Sequence, residues 1–295
     1  MTLVALASLA GCLGTSTGGS SGTGGAGSAG TSNSGGNGYG GNGGNANGGG
    51  NGGNGGNGYG GWGVNGYGGN GADGRDGANG IGGSGHLTTR AIDLSGVTSV
   101  AAGANFVVHL RMGRPAQATV TMDDNVTDRV EAIVAGSQLR LGIKPGTSVR
   151  NATLSADVTV GQLDQLSTTG ASRVILDPAL TGGALTLDIA GASAVTGPVA
   201  VERVQASVSG TGTLALSGDV QELRFSASGA SQLPLAGLTA RSLDATLSGA
   251  SRATVTVTGT LAAQADGASA LRYRGNPSIT KAQASGTSSI MRDSP

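Results

Sequence analysis

From residue 170 onward, apolar and polar residues alternate with a period of two, and the alternation recurs about every 19 residues. A Gly-Ala-Ser tripeptide, or a close variant, marks each recurrence. The copies begin at Gly170, Gly191, Gly210 (as Gly-Thr-Gly), Gly229, Gly249, Gly267 and Gly286 (as Gly-Thr-Ser). Four residues after each Gly stand Val174, Val195, Leu214, Leu233, Ala253, Leu271 and Ile290, all apolar. Two residues before it, from the second copy on, stand Ile189, Val208, Ala227, Leu247, Ala265 and Ala284. Between apolar positions lie Asp188, Ser207, Ser226, Thr246, Gln264 and Gln283. Period-two alternation places one face of a strand in a core and the other in solvent. A repeat this short leaves no room for a strand-helix-strand crossover. It fits one coil of a parallel β-solenoid, with equivalent residues stacked about 4.8 Å apart. Right-handed winding is expected, because parallel crossovers take that hand. The seven glycines are read as structural corners where the chain needs φ > 0, with the corner Ser bonding its own turn.

Upstream of the repeats, residues 86–166 carry strand patterns without the clear period. Phe106 to Leu110, Ala118 to Met122, Gln138 to Ile143 and Leu154 to Val160 alternate as strands do. Asp123 to Val130 reads as a turn followed by a short helix capped by Asn125 or Thr127. This segment is expected to start and cap the solenoid of residues 167–295. A solenoid needs such a cap to blunt an open sheet edge. Thr168 stands where other repeats have an apolar residue, which marks a junction.

Composition separates the rest. Residues 14–85 hold 36 Gly and 11 Asn in 72 positions, against 22 Gly in the 210 residues that follow. Such a tract buries too little to offset its ordering entropy, so 12–85 is expected to be a disordered tether. As a Gly-rich coil it would span roughly 45–50 Å end to end. Tyr39, Tyr59, Trp62 and Tyr67 are scattered through it. The stretch Gly71 to Gly80 has Gly at every third position but lacks Pro and is too short for a collagen helix. Gly68 to Asp73 is a single copy of a calcium-roll-like nonapeptide, and one copy cannot build a roll. Before the tether, residues 1–11 form an apolar run too short to span a bilayer but suited to a secretion signal, although no Lys or Arg precedes it.

Charge and candidate chemistry narrow the function. With 17 basic and 17 acidic residues the chain has no basic field for nucleic acid. One cysteine excludes an intramolecular disulfide. His86 and His109 stand apart, with no set of three or four convergent ligands, so no metal site is expected. Asp123, Asp124 and Asp128 form the densest acidic group and read as a solvated loop rather than a calcium site. No His or acid recurs beside the corner serines, so they are not nucleophiles, and no catalytic residue or cofactor is expected. Asp188, Asp244 and Asp266 lie in different columns or on distant rungs, which argues against a paired-carboxylate glycosidase.

Two resemblances add to this. The Ser/Asp-Gly-Ala-Ser coils, preceded by Ile92-Asp-Leu-Ser-Gly-Val97, resemble the head GIN domain of bacterial auto-transporter adhesins over about residues 87–291. That resemblance implies an all-β, β-helix-like fold and a role in adhesion, and brings no catalytic motif. Leu9-Ala10-Gly11-Cys12 resembles the lipobox of bacterial lipoproteins. It implies cleavage before Cys12 and lipidation of its thiol, and Leu13 rather than Asp after it implies sorting to the outer membrane. The combined expectation is a non-catalytic envelope protein, held to the membrane by Cys12, whose head binds envelope or cell-surface glycan or protein. The alternatives are a polysaccharide-active enzyme on the same scaffold and a plain structural spacer.

Overall fold

The structure, a computed structural model, describes residues 80–293. Cys12, the signal 1–11, the tether up to residue 79 and its four aromatics lie outside the described residues. The unit that begins at Gly82 is all-β and is built on one sheet of 17 strands. Its main body is a parallel β-solenoid of about seven turns.

The alternation read from the sequence sets the register. Val174 pairs with Val195 and Val195 with Leu214; Leu233 pairs with Ala253, Ala253 with Leu271, and Leu271 with Ile290. Thr213 pairs with Gln232, which sets Leu214 beside Leu233 in the same column. All of these except Ile290 are buried. On the other side of the corner, Leu187, Ala206, Phe225, Ala245 and Ala263 form a second buried column, and Ile189, Val208, Ala227, Leu247 and Ala265 a third. Each large aliphatic side chain buried this way contributes roughly 1.5–3 kcal/mol. The core is thus a set of apolar ladders enclosed by the coils.

Each coil is one long strand bent back on itself, as in Ala194–Val208, Thr213–Ala227 and Gln232–Leu247. One bend lies where the in-out alternation breaks at two successive outward residues, Glu202-Arg203 and Gln221-Glu222. Another lies at Gly197 and Gly218, whose φ values are 137° and 114°. These kinks are offset from one coil to the next, and the pairing shifts register between Thr213 and Gly218 and again between Leu235 and Thr239.

The solenoid starts one coil before the visible repeat. Ser99–Ala102 pairs in parallel with Gln165–Thr168, and Val107 to Leu110 with Arg173 to Leu176. The corner joining them is Gly103-Ala104-Asn105, where Ala104 and Asn105 themselves take φ of 55° and 65°. Thr168 is fully buried in an interior column between Ala102 and Ile189, and its hydroxyl has no partner. Its polarity marks an imperfection inside the stack, not the end of it.

Antiparallel strands are confined to the first part of the domain. Leu87–Asp93 pairs with Gln117–Asp123, which pairs with Leu154–Val160, and Val130–Ala135 forms a hairpin with Gln138–Ile143. The helix expected after Asp123 is a single 3-10 turn, Asp124–Val126. At the opposite end the last coil, Ser278–Ala284 with Ser289–Arg292, pairs on one side with the coil before it. Every residue of Ser278–Ala284 is exposed, and Ile279 and Met291 are about half exposed (50% and 47%).

Candidate binding surface

The seven corner glycines take φ between 69° and 77°. They also stack closely. A Cβ on Gly229 would lie 2.5 Å from the carbonyl oxygen of Gly210, and one on Gly191 2.6 Å from that of Gly170. A backbone ladder runs through the column: Ala192, Thr211, Ala230 and Ala250 each donate their N–H to the corner Gly carbonyl of the preceding coil.

The corner serines turn inward. Ser172, Ser193, Ser231, Ser251 and Ser269 are at most 1% exposed. Ser231, Ser251 and Ser269 donate their hydroxyls to the carbonyls of Ser228, Ser248 and Asp266 at 2.7–2.9 Å. These serines therefore cannot form a binding strip at the corner. Ser193 breaks the pattern: its hydroxyl has no partner, and Gly212 takes the serine position in the next coil.

Of the acidic group, Asp124 and Asp128 are exposed as expected of a solvated loop, but Asp123 is not. Asp123 is 1% exposed, and its carboxylate accepts the N–H of Gly85 and of Thr153, both at 2.6 Å. Asp124 accepts the Ser84 hydroxyl at 2.5 Å, and Asn125 donates to the Gly82 carbonyl at 2.7 Å. Together they clasp residues 82–85, which the Gly-rich composition had assigned to the tether. His86 and His109 are exposed, and His109 pairs in register with Asp157 and Ile175. Among the described residues no three His, Cys, Asp or Glu converge as metal ligands.

A concave surface lies elsewhere, on the outer side of the strands that precede the corners. Two outward columns run there across four coils: Thr186, Gln205, Arg224 and Asp244, then Asp188, Ser207, Ser226 and Thr246. With the backbone over Leu187, Ala206 and Phe225 they line a shallow channel of about 270 Å³. Beside the channel one carboxylate is paired twice. Glu222 accepts from Arg203 Nε at 2.8 Å and from Arg224 Nε at 2.6 Å. Arg203 first, and Arg224 with it, hold the Glu222 carboxyl below its ordinary value of 4.5. The alternation in the sequence contains both columns, but only their stacking across coils makes them a channel.

The family described as "Putative auto-transporter adhesin, head GIN domain" matches residues 96–277. The chain belongs to this family. No curated protein matches it. Several solved structures share the fold. A putative adhesin from Bacteroides fragilis NCTC 9343 is 22% identical, with TM-score 0.68, over 72% of this chain and 100% of that one. A putative adhesin from Parabacteroides merdae ATCC 43184 is 17% identical, with TM-score 0.59, over 74% and 100%. A putative lipid binding protein from Parabacteroides distasonis ATCC 8503 is 19% identical, with TM-score 0.58, over 72% and 99%. At these identities the likeness is one of fold. The GIN domain supplies a rigid rod with regular polar faces, and the channel is the concave part of one face.

Proposed function

We propose that this chain is a non-catalytic adhesive head of the cell envelope, lipidated at Cys12 and sorted to the outer membrane, with residues 12–79 as its tether. The observation that carries this is the channelled polar face on a domain of an adhesin family. Its hydroxyls, its amide and its charged groups are suited to holding a ligand. The hydrolase form of the enzyme alternative needs two carboxylates within about 10 Å of each other across a scissile bond. Asp188 and Asp244, the carboxylates lining the channel, are three coils apart, or about 14 Å at the spacing of stacked strands, and Glu222, one coil from Asp244, is held by Arg203 and Arg224.

Protease treatment of intact cells tests the reading, with Cys12→Ala as a control. Release of the head from intact cells, and loss of membrane retention in the control, is the expected result. Protection of the head until the outer membrane is opened would place it in the periplasm and end the adhesin reading. Retention of the control variant would end the lipid-anchor reading.

A further inference from the structure

The channel has a direction, a polarity and a repeat, and each restricts what can occupy it. It runs across the strands, along the stacking axis, so its occupant is linear and lies along the rod. Parallel pairing on both sides engages the backbone of all four coils, so no sheet edge is open for an extended peptide to join. Only side chains are offered. Four are hydroxyls (Thr186, Ser207, Ser226 and Thr246) and one is an amide (Gln205), groups that pair with partners that both donate and accept. The charges within and beside the channel are Asp188, Asp244 and Glu222 against Arg224 and Arg203. Arg224 is already held by Glu222, and Asp188 accepts weakly from Gln165 at 3.4 Å. The balance is slightly negative, which disfavours an acidic polymer. The repeat completes the argument. Polar groups recur about every 4.8 Å along the axis, close to the advance of one sugar ring in an extended chain, whereas an extended peptide advances about 3.3 Å per residue and drifts out of step.

We infer that this channel binds a linear, non-acidic glycan lying along the solenoid axis, with about one sugar ring per coil. The inference rests on the reading of the chain as a binding head and names that head's ligand class. Aromatic platforms are absent from the lining, so affinity comes from hydrogen bonds alone and is weak for a single chain. Many heads on one surface strengthen it by multivalency.

Chemical-shift mapping of the full-length chain tests this. The probes are β-1,4-linked oligosaccharides of glucose, N-acetylglucosamine and mannose, two to six rings long, with a galacturonic acid hexamer and an extended hexapeptide as controls. At least one neutral series is expected to shift the amides of Thr186 to Asp188, Gln205 to Ser207, Arg224 to Ser226 and Asp244 to Thr246. Its affinity should rise with length and level off near four rings. Gln205→Ala should weaken binding about fivefold, the equivalent of one hydrogen bond. Ser207→Trp should abolish binding while leaving distant amides unmoved, because the side chain is exposed and only obstructs the channel. Tighter binding of the galacturonate, binding of the peptide alone, shifts confined to another face, or no shift with any neutral series at tens of millimolar overturns the inference. Beads carrying the full-length chain separate the two readings. Beads that adhere to cells equally well with Ser207→Trp remove the channel and keep the adhesin, whereas wild-type beads that adhere to nothing remove both.

Discussion

A buried hydroxyl stabilises a corner only when a carbonyl receives it. Ser251 has that partner and Ser193 does not. Ser251→Ala should therefore cost about 1 kcal/mol in urea unfolding, and Ser193→Ala nothing or a small gain. Equal costs would mean that the two corners are bonded alike. The glycines separate in the same way. Gly229→Ala combines strain at φ 77°, about 1–2 kcal/mol, with a Cβ pressed on the Gly210 carbonyl. At Gly170 the nearest atom is the Ala104 nitrogen at 3.3 Å, so the same change there should cost distinctly less. On the surface, Glu222 has a lowered pKa, so whatever stability it lends is present above 4.5 and is lost as pH falls through the lowered value. An NMR titration should find its midpoint below 4.5. Arg203→Ala and Arg224→Ala should each raise the midpoint, because both guanidinium groups donate to this carboxylate.

Among the elements, the clasp at Asp123 ties Gln117–Asp123 to the start of the domain at Gly85 and to Thr153, through one charge-assisted bond each. Asp123→Ala should destabilise the fold by about 3 kcal/mol and open residues 82–86 to protease, whereas Asp128→Ala, on an exposed side chain, should do neither. The sequence showed Asp123 but not its burial, because its partners are backbone amides 30 and 38 residues away. Legibility along the solenoid follows the same logic. Corners from Gly170 on share one backbone shape, and those from Gly191 on also one stacking contact, so the same residue recurs at each. Strands inserted between Leu110 and Gln165 interrupt the spacing of the first corner, and Ala104 and Asn105 supply its left-handed turn. The bends at Gly197 and Gly218 do not stack on each other, so no period reveals them. The channel was half visible: alternation showed outward polar residues, while the matching of one coil's residues to the next lies in the pairing register.

For the whole molecule, protection should be graded along the rod. Hydrogen exchange is expected to be slowest in Ala194–Val208, Thr213–Ala227 and Gln232–Leu247, which are paired on both sides. It should be fastest in Ser278–Ala284, which pairs on one side and is exposed throughout. Uniform protection would mean that the last coil is covered in solution. The stacked columns also bear on how such a head can change over generations. Because apolar columns and the corner glycine recur from coil to coil after Gly170, a crossover between two corner codons that drops or duplicates one repeat rejoins surfaces of the same kind. Reach is then heritable in whole steps of one coil. A lineage can lengthen or shorten the solenoid without redesigning either terminus, as a chain of links is altered without recasting the clasp.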